Sequence, residues 1–244
     1  MNVRREGDEY VAEEDGARAG SLRRAGEGVL LQLTRPSEGV ALALLRAAAA
    51  DTEEEAAPAE IGSFGSVHLQ TDDQGAIVKL VERLAPRVVT SRETLVSPAR
   101  NGWIAVYDVT ADLDPERLRA LGRELSSASG YVTITIGVEH ARLVYLIAME
   151  RGRLLDEYVS VPSLRNVAPG DAVALRANPT VLSRLTGAEA AAVRAVVRTA
   201  ESPDELPHAE ELIGQVGSAL GLEGSEYGFE QARELPGAVI VEHE

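Results

Sequence analysis

Between residues 102 and 161 the apolar positions alternate, then recur every three to four residues, then alternate three times more. That pattern predicts a strand over 103–109, a helix and three further strands. Asp114 is the expected N-cap, with Pro115 in the first turn where its missing N–H costs nothing. Leu118, Leu121 and Leu125 supply the buried stripe, and Gly130 the left-handed stop. Turns fall near Glu139-His140 and Arg151-Gly152. The strand over 142–149 has Leu143, Tyr145 and Ile147 on one side and Val144, Leu146 and Ala148 on the other. Apolar on both sides, it is expected at the centre of a sheet.

A similar plan precedes it. Ser66 to Gln70 reads as a strand, Asp72 or Asp73 as a helix cap, and Ile77, Leu80, Val81 and Leu84 as one helical face that Pro86 ends. Residues 87–96 give one strand or two short ones. Two successive strand-helix-strand units, 66–96 and 103–138, make an α+β fold the economical reading. It is expected to be a ferredoxin-like or tandem β-α-β-β sandwich with a mainly antiparallel sheet.

The flanks read differently. Residues 9–34 predict short strands, Ser37 opens a helix bearing Val40, Leu44, Leu45 and Ala48, and the acidic, Ala-rich stretch 51–60 has linker composition. Beyond Pro162 the pattern is helical. Asn178-Pro179 starts a short helix, and Thr186 with Glu189 suggests a capping box for an Ala-rich helix to about residue 200. Leu212, Ile213, Val216 and Leu220 share the face of another helix that Gly221 stops, and Ala238 to Val241 predicts a last strand. Three regions follow: 1–60 with strands and a helix, 61–162 with the central sheet, and 163–244 as a helical C-terminal subdomain.

Composition narrows the chemistry. The chain has 244 residues, 45% of them apolar, and no cysteine, which closes disulfides, thiolate metal sites and cysteine nucleophiles. No apolar run is long enough for a membrane span, so a cytoplasmic protein is expected. The net charge of −15 opposes nucleic-acid binding, which needs a cationic face, and favours a basic partner. Eleven carboxylates against the single Arg233 make residues 201–244 the most anionic part. One lysine, Lys79, among 24 basic residues suggests a GC-rich bacterial genome.

Aromatic residues are few, and they gather in the central stretch. Alternation places Trp103, Ala105 and Tyr107 on one side of a strand, Tyr131 with Thr133 and Thr135, and Asp156 with Tyr158 and Ser160. If these sets share the side of the sheet away from its two helices, Trp103, Tyr107, Tyr131 and Tyr158 form a ligand-binding surface for a protein or small molecule. The other arrangement has the C-terminal helices covering that side. Asp108, Asp112 and Asp114 follow one strand, and Asp72 and Asp73 its counterpart. They converge only if the two strands are adjacent and parallel, and capping accounts for most of them. His68, His140, His208 and His243 show no ligand spacing, and HAEEL at 208 lacks a second histidine. Gly62-Ser63-Phe64-Gly65-Ser66 leads into a strand and is no nucleophile elbow.

A strand-borne His68 ahead of a helix, within tandem β-α-β-β-β-like modules, resembles the vicinal-oxygen-chelate metalloenzymes of the glyoxalase kind. The resemblance covers about a hundred residues. It implies metal ligands at His68 and Glu157, while the strand WIAVYDV offers no histidine at the matching position. The leading expectation is a non-catalytic binding module without cofactor or metal. The alternative is a small metal-dependent enzyme.

Overall fold

The computed structural model describes residues 2–6, 9–14, 17–25, 28–34, 40, 62–165 and 170–243. The chain divides into two compact units, Met1–Ala59 and Glu60–Glu244. In the first unit β1 (Asn2–Glu6), β2 (Glu9–Glu14), β3 (Ala17–Ala25) and β4 (Gly28–Leu33) form an antiparallel meander in chain order. Ala12, Leu22 and Val40 make its buried cluster, with Leu33 packed against them. The helix expected from Ser37, except Val40, and the acidic stretch 51–60 lie outside the described residues.

The second unit is α+β. Its elements are β5 (Phe64–Gln70), α1 (Gln74–Val88), β6 (Glu93–Val96), β7 (Trp103–Asp108), α2 (Pro115–Ser129), β8 (Val132–Glu139), β9 (Leu143–Glu150) and β10 (Arg153–Val159). Then come α3 (Pro179–Thr186), α4 (Ala190–Val196), α5 (Ala209–Leu220), α6 (Phe229–Ala232) and β11 (Val239–Glu242). Seven strands form one sheet in the order β10-β9-β8-β5-β7-β6-β11, and every neighbouring pair is antiparallel. The inner part runs strand-helix-strand-strand-helix-strand, with β5 and β7 adjacent in the middle.

Local chemistry explains the helix ends. Asp73 accepts the N–H of Ala76, and Asp114 those of Glu116 and Arg117, so the first-turn donors are satisfied. Gly130 and Gly221 stop α2 and α5 at φ of 74° and 73°, a region where a Cβ is costly. Asn178 caps α3 as expected.

Four expectations need correction. Helix α1 runs past Pro86 to Val88, and Pro86 forgoes one main-chain bond, the one its missing N–H would make to Glu82 O. Only Glu93–Val96 of the stretch 87–96 is strand. Glu189 makes no side-chain cap, since the Thr186 hydroxyl bonds Leu182 O and accepts from Ala188 N instead. Strand β9 is second from the edge and not central; its two apolar sides are nonetheless both buried.

Both sides of the sheet are covered. On one side Val67, Leu69, Ile104, Val106 and Ile147 pack with α1 and α2 through Ile77, Val81, Leu118, Leu121 and Leu125. On the other, Ile134, Ile136, Val144 and Leu146 pack with Leu182, Val193, Leu212, Ile213 and Val216 of α3, α4 and α5. Each layer buries continuous apolar area, worth about 25 cal/mol per Å². Helices α3, α4 and α5 therefore form a third layer on the sheet, while β11 joins the sheet itself.

Candidate functional site

Trp103, Tyr107 and Tyr158 do share one side of the sheet, and the C-terminal elements cover it. Trp103 and Tyr158 lie in the cluster beneath α3, α4 and α5, and Tyr107 packs with Phe229 and Ala232 of α6. Tyr107 and Tyr158 are 0% exposed, and their hydroxyls donate to Gly224 O at 2.9 Å and to Arg198 O at 2.8 Å. Burial, aided by Glu226, pushes the Tyr107 phenol well above its usual range, and burial does the same for Tyr158. Both rings are therefore neutral packing groups.

Tyr131 is the exception. It precedes β8 and is 36% exposed. Its alternation partners Thr133 and Thr135 face α2, as the pairing of Thr135 with Val67 shows. The four aromatics thus do not form one platform. Alternation identifies which residues share a side but not which side of the sheet they take.

The carboxylates after β5 and β7 are also separated. Because β5 and β7 are antiparallel, Asp72 and Asp73 lie at one end of the sheet and Asp108, Asp112 and Asp114 at the other. Asp108 is buried and accepts from Thr110 N, Ala111 N and the Thr94 hydroxyl. Asp112 accepts from Gly65 N at 3.1 Å and Phe229 N at 3.0 Å, which ties the start of β5 to α6. Burial raises the Asp112 pKa, against the two N–H groups that lower it.

His68 is buried, and its Nε2 lies 2.9 Å from Ser66 Oγ. Burial lowers its pKa to about 3, so the ring is neutral at pH 7. Glu157 sits on the opposite side of the sheet. It pairs across β9 with Ile147, Ile147 with Thr135 and Thr135 with Val67, the residue before His68. Both Glu157 oxygens are taken by Arg119, at 2.8 and 3.1 Å. One ion cannot be held by His68 and Glu157 together. Among the described residues no group of three or more His, Asp or Glu is arranged to hold a metal ion. His208 and Lys79 are exposed.

The structure does assemble a cleft that local patterns did not show. Ser97, Pro98 and Arg100 from the β6–β7 loop face Glu223, Gly224, Glu226, Tyr227 and Leu235 across a cavity of about 250 Å³. A second depression of about 530 Å³ adjoins it, sharing Glu223 and Glu226 and adding Glu210, Glu211 and Asn101. Glu210, Glu211, Glu223 and Glu226 are exposed, and Arg100 is the only cation among the lining residues described. Arg100 stands 3.8 Å from Glu223, and Asn101 donates to Glu223 at 3.2 Å.

The buried aromatics set this cleft from below. Tyr107 fixes Gly224, which lines the first cavity. Trp103 exchanges main-chain hydrogen bonds with Arg100, at 2.8 and 2.9 Å, and so holds the β6–β7 loop closed. An acidic depression with a tyrosine in its wall attracts cations and can pack their alkyl stems. The eleven carboxylates of 201–244 were the one signal of it in the sequence.

No helix among the described residues is long and apolar enough to cross a membrane. Comparison with protein-family models, with curated proteins and with solved structures finds no match.

Proposed function

We propose that the chain is a non-catalytic, cytoplasmic bacterial module that binds a basic segment of a protein through its acidic cleft. The observation that carries this is the adjoining pair of cavities whose common wall is Glu223 and Glu226, with four carboxylates against one guanidinium. Trp103 and Tyr107 serve in this reading by positioning the cleft, and Tyr158 by packing; Tyr131 is left to the surface. We further propose that the inner strands and two helices are a ferredoxin-like unit. The hairpin strands β9 and β10 extend it on one side and β11 on the other, consistent with the order β8-β5-β7-β6.

The site uses long-range attraction more than contact area. Carboxylates on a rim steer a cationic partner and set orientation, at modest affinity and with strong dependence on salt. Tetra-arginine peptide added to isotopically labelled protein should shift the amide resonances of Gly224, Glu226, Tyr227 and Asn101 first. Shifts centred elsewhere, for instance on Glu150 or Asp204, would sink the assignment.

A further inference from the structure

We propose that β11 is a docking edge: an extended segment of the basic partner adds to it as an eighth strand and sends a cationic side chain into the cleft beside Glu223 and Glu226. The proposal rests on the acidic cleft and adds a main-chain contact to it.

The register shows which groups are available. His243 N donates to Arg92 O at 2.9 Å, so these two form a hydrogen-bonded pair. In an antiparallel ladder such pairs alternate, so Val241 with Thr94 and Val239 with Val96 also turn their main-chain groups inward. Ile240 and Glu242 consequently direct their N–H and C=O away from β6. Among the described residues β6 is the only strand beside β11. Ile240 is 44% exposed and Val239 37%, which leaves apolar side chains along the same edge.

That edge is held in place before any partner arrives. Gln74 Nε2 donates to Val96 O at 3.1 Å and Gly237 O at 3.0 Å, bracing the approach to β11. At the far end the Thr94 hydroxyl gives its proton to Asp108 Oδ2 at 2.7 Å, so His243 Nε2 must be the donor to Thr94 Oγ1 at 3.0 Å. A fixed strand loses little entropy on pairing.

The cleft lies where β11 begins. Ala238 packs with Leu235 and Tyr227 around Tyr107, and Leu235 and Tyr227 line the first cavity. A strand added along Ile240 and continued past Val239 therefore runs toward the residues that line the cleft. Charge selects the occupant. Glu242 is exposed on this edge, while Arg233 is already paired with Glu93 and Glu230. A second copy would bring the same carboxylates and a net charge of −15 to its own edge. A strand alternating cationic and apolar residues complements it, with main-chain bonds giving affinity and the cleft giving specificity.

The test uses the full chain and an acetylated, amidated octapeptide alternating arginine and valine. Two isomers of it carry N-methyl groups on one or the other alternate set of amides. The parent peptide should slow amide exchange at Ile240 and Glu242. One isomer should bind at least tenfold more weakly than the parent, and the other should match it. If both isomers match the parent while Glu223→Gln/Glu226→Gln still weakens binding, the strand addition is wrong and the acidic cleft stands. If the parent itself fails to bind, or binds the double variant equally well, both are wrong.

Discussion

At the scale of single residues, a buried histidine and a half-buried carboxylate have measurable signatures. Below about pH 6.5 the unfolded chain protonates His68, whereas the folded state resists until about pH 3. The stability that the neutral ring contributes is therefore complete above pH 6.5 and is lost as pH falls toward 3, at up to about 1.4 kcal/mol per pH unit. Chemical denaturation of wild type and His68→Gln at pH 7 and pH 5 should show the wild type losing about 2 kcal/mol more than the variant. Equal losses would mean that His68 is not held neutral by burial. Asp112 uses both oxygens on main-chain N–H groups of separate elements. Asp112→Asn replaces one acceptor by a donor that faces an N–H, and should cost about 1–3 kcal/mol in a denaturant midpoint.

Between elements, the approach of α2 to the sheet is set by Gly122 and Thr135. A Cβ on Gly122 would lie 2.1 Å from the Thr135 hydroxyl oxygen, and that hydroxyl is buried without a hydrogen-bond partner. Gly122→Ala should therefore destabilise by about 1–3 kcal/mol despite its helix propensity. Adding Thr135→Ala should restore part of the loss, whereas Thr135→Val should not, because its methyl occupies the space of the hydroxyl. Thermal melts of the two double variants check this directly. The ends of α2, α3 and α5 were legible because Asp114-Pro115, Asn178-Pro179, Gly130 and Gly221 act through neighbours in sequence. The side taken by Thr133 and Thr135 was not, because alternation is symmetric until tertiary packing chooses a side. The direction of β5 against β7, which separates Asp73 from Asp108, is likewise a property of the sheet.

Across the whole molecule, three of the four aromatics that stood out in the sequence are interior, and the charged C-terminal stretch lines the accessible cleft. Trp103 and Tyr107 were visible as a pair on one strand side; what covers them depends on α5 and α6, about a hundred residues later. The cleft joins residues 97–101 to residues 210–235, so only its charge was legible in advance. In the proposed binding mode that charge is the recognising feature, so binding should weaken with added salt as exposed carboxylates are screened over about 10 Å at 0.1 M. The most direct measurement is calorimetric titration of the full chain and of Glu223→Gln/Glu226→Gln with tetra-arginine peptide at low and moderate salt. Saturable one-to-one binding is expected, weakening with salt and falling about tenfold in the double variant, a loss of about 1.4 kcal/mol. Binding indifferent to the two substitutions, or no saturable heat at millimolar peptide, would contradict it.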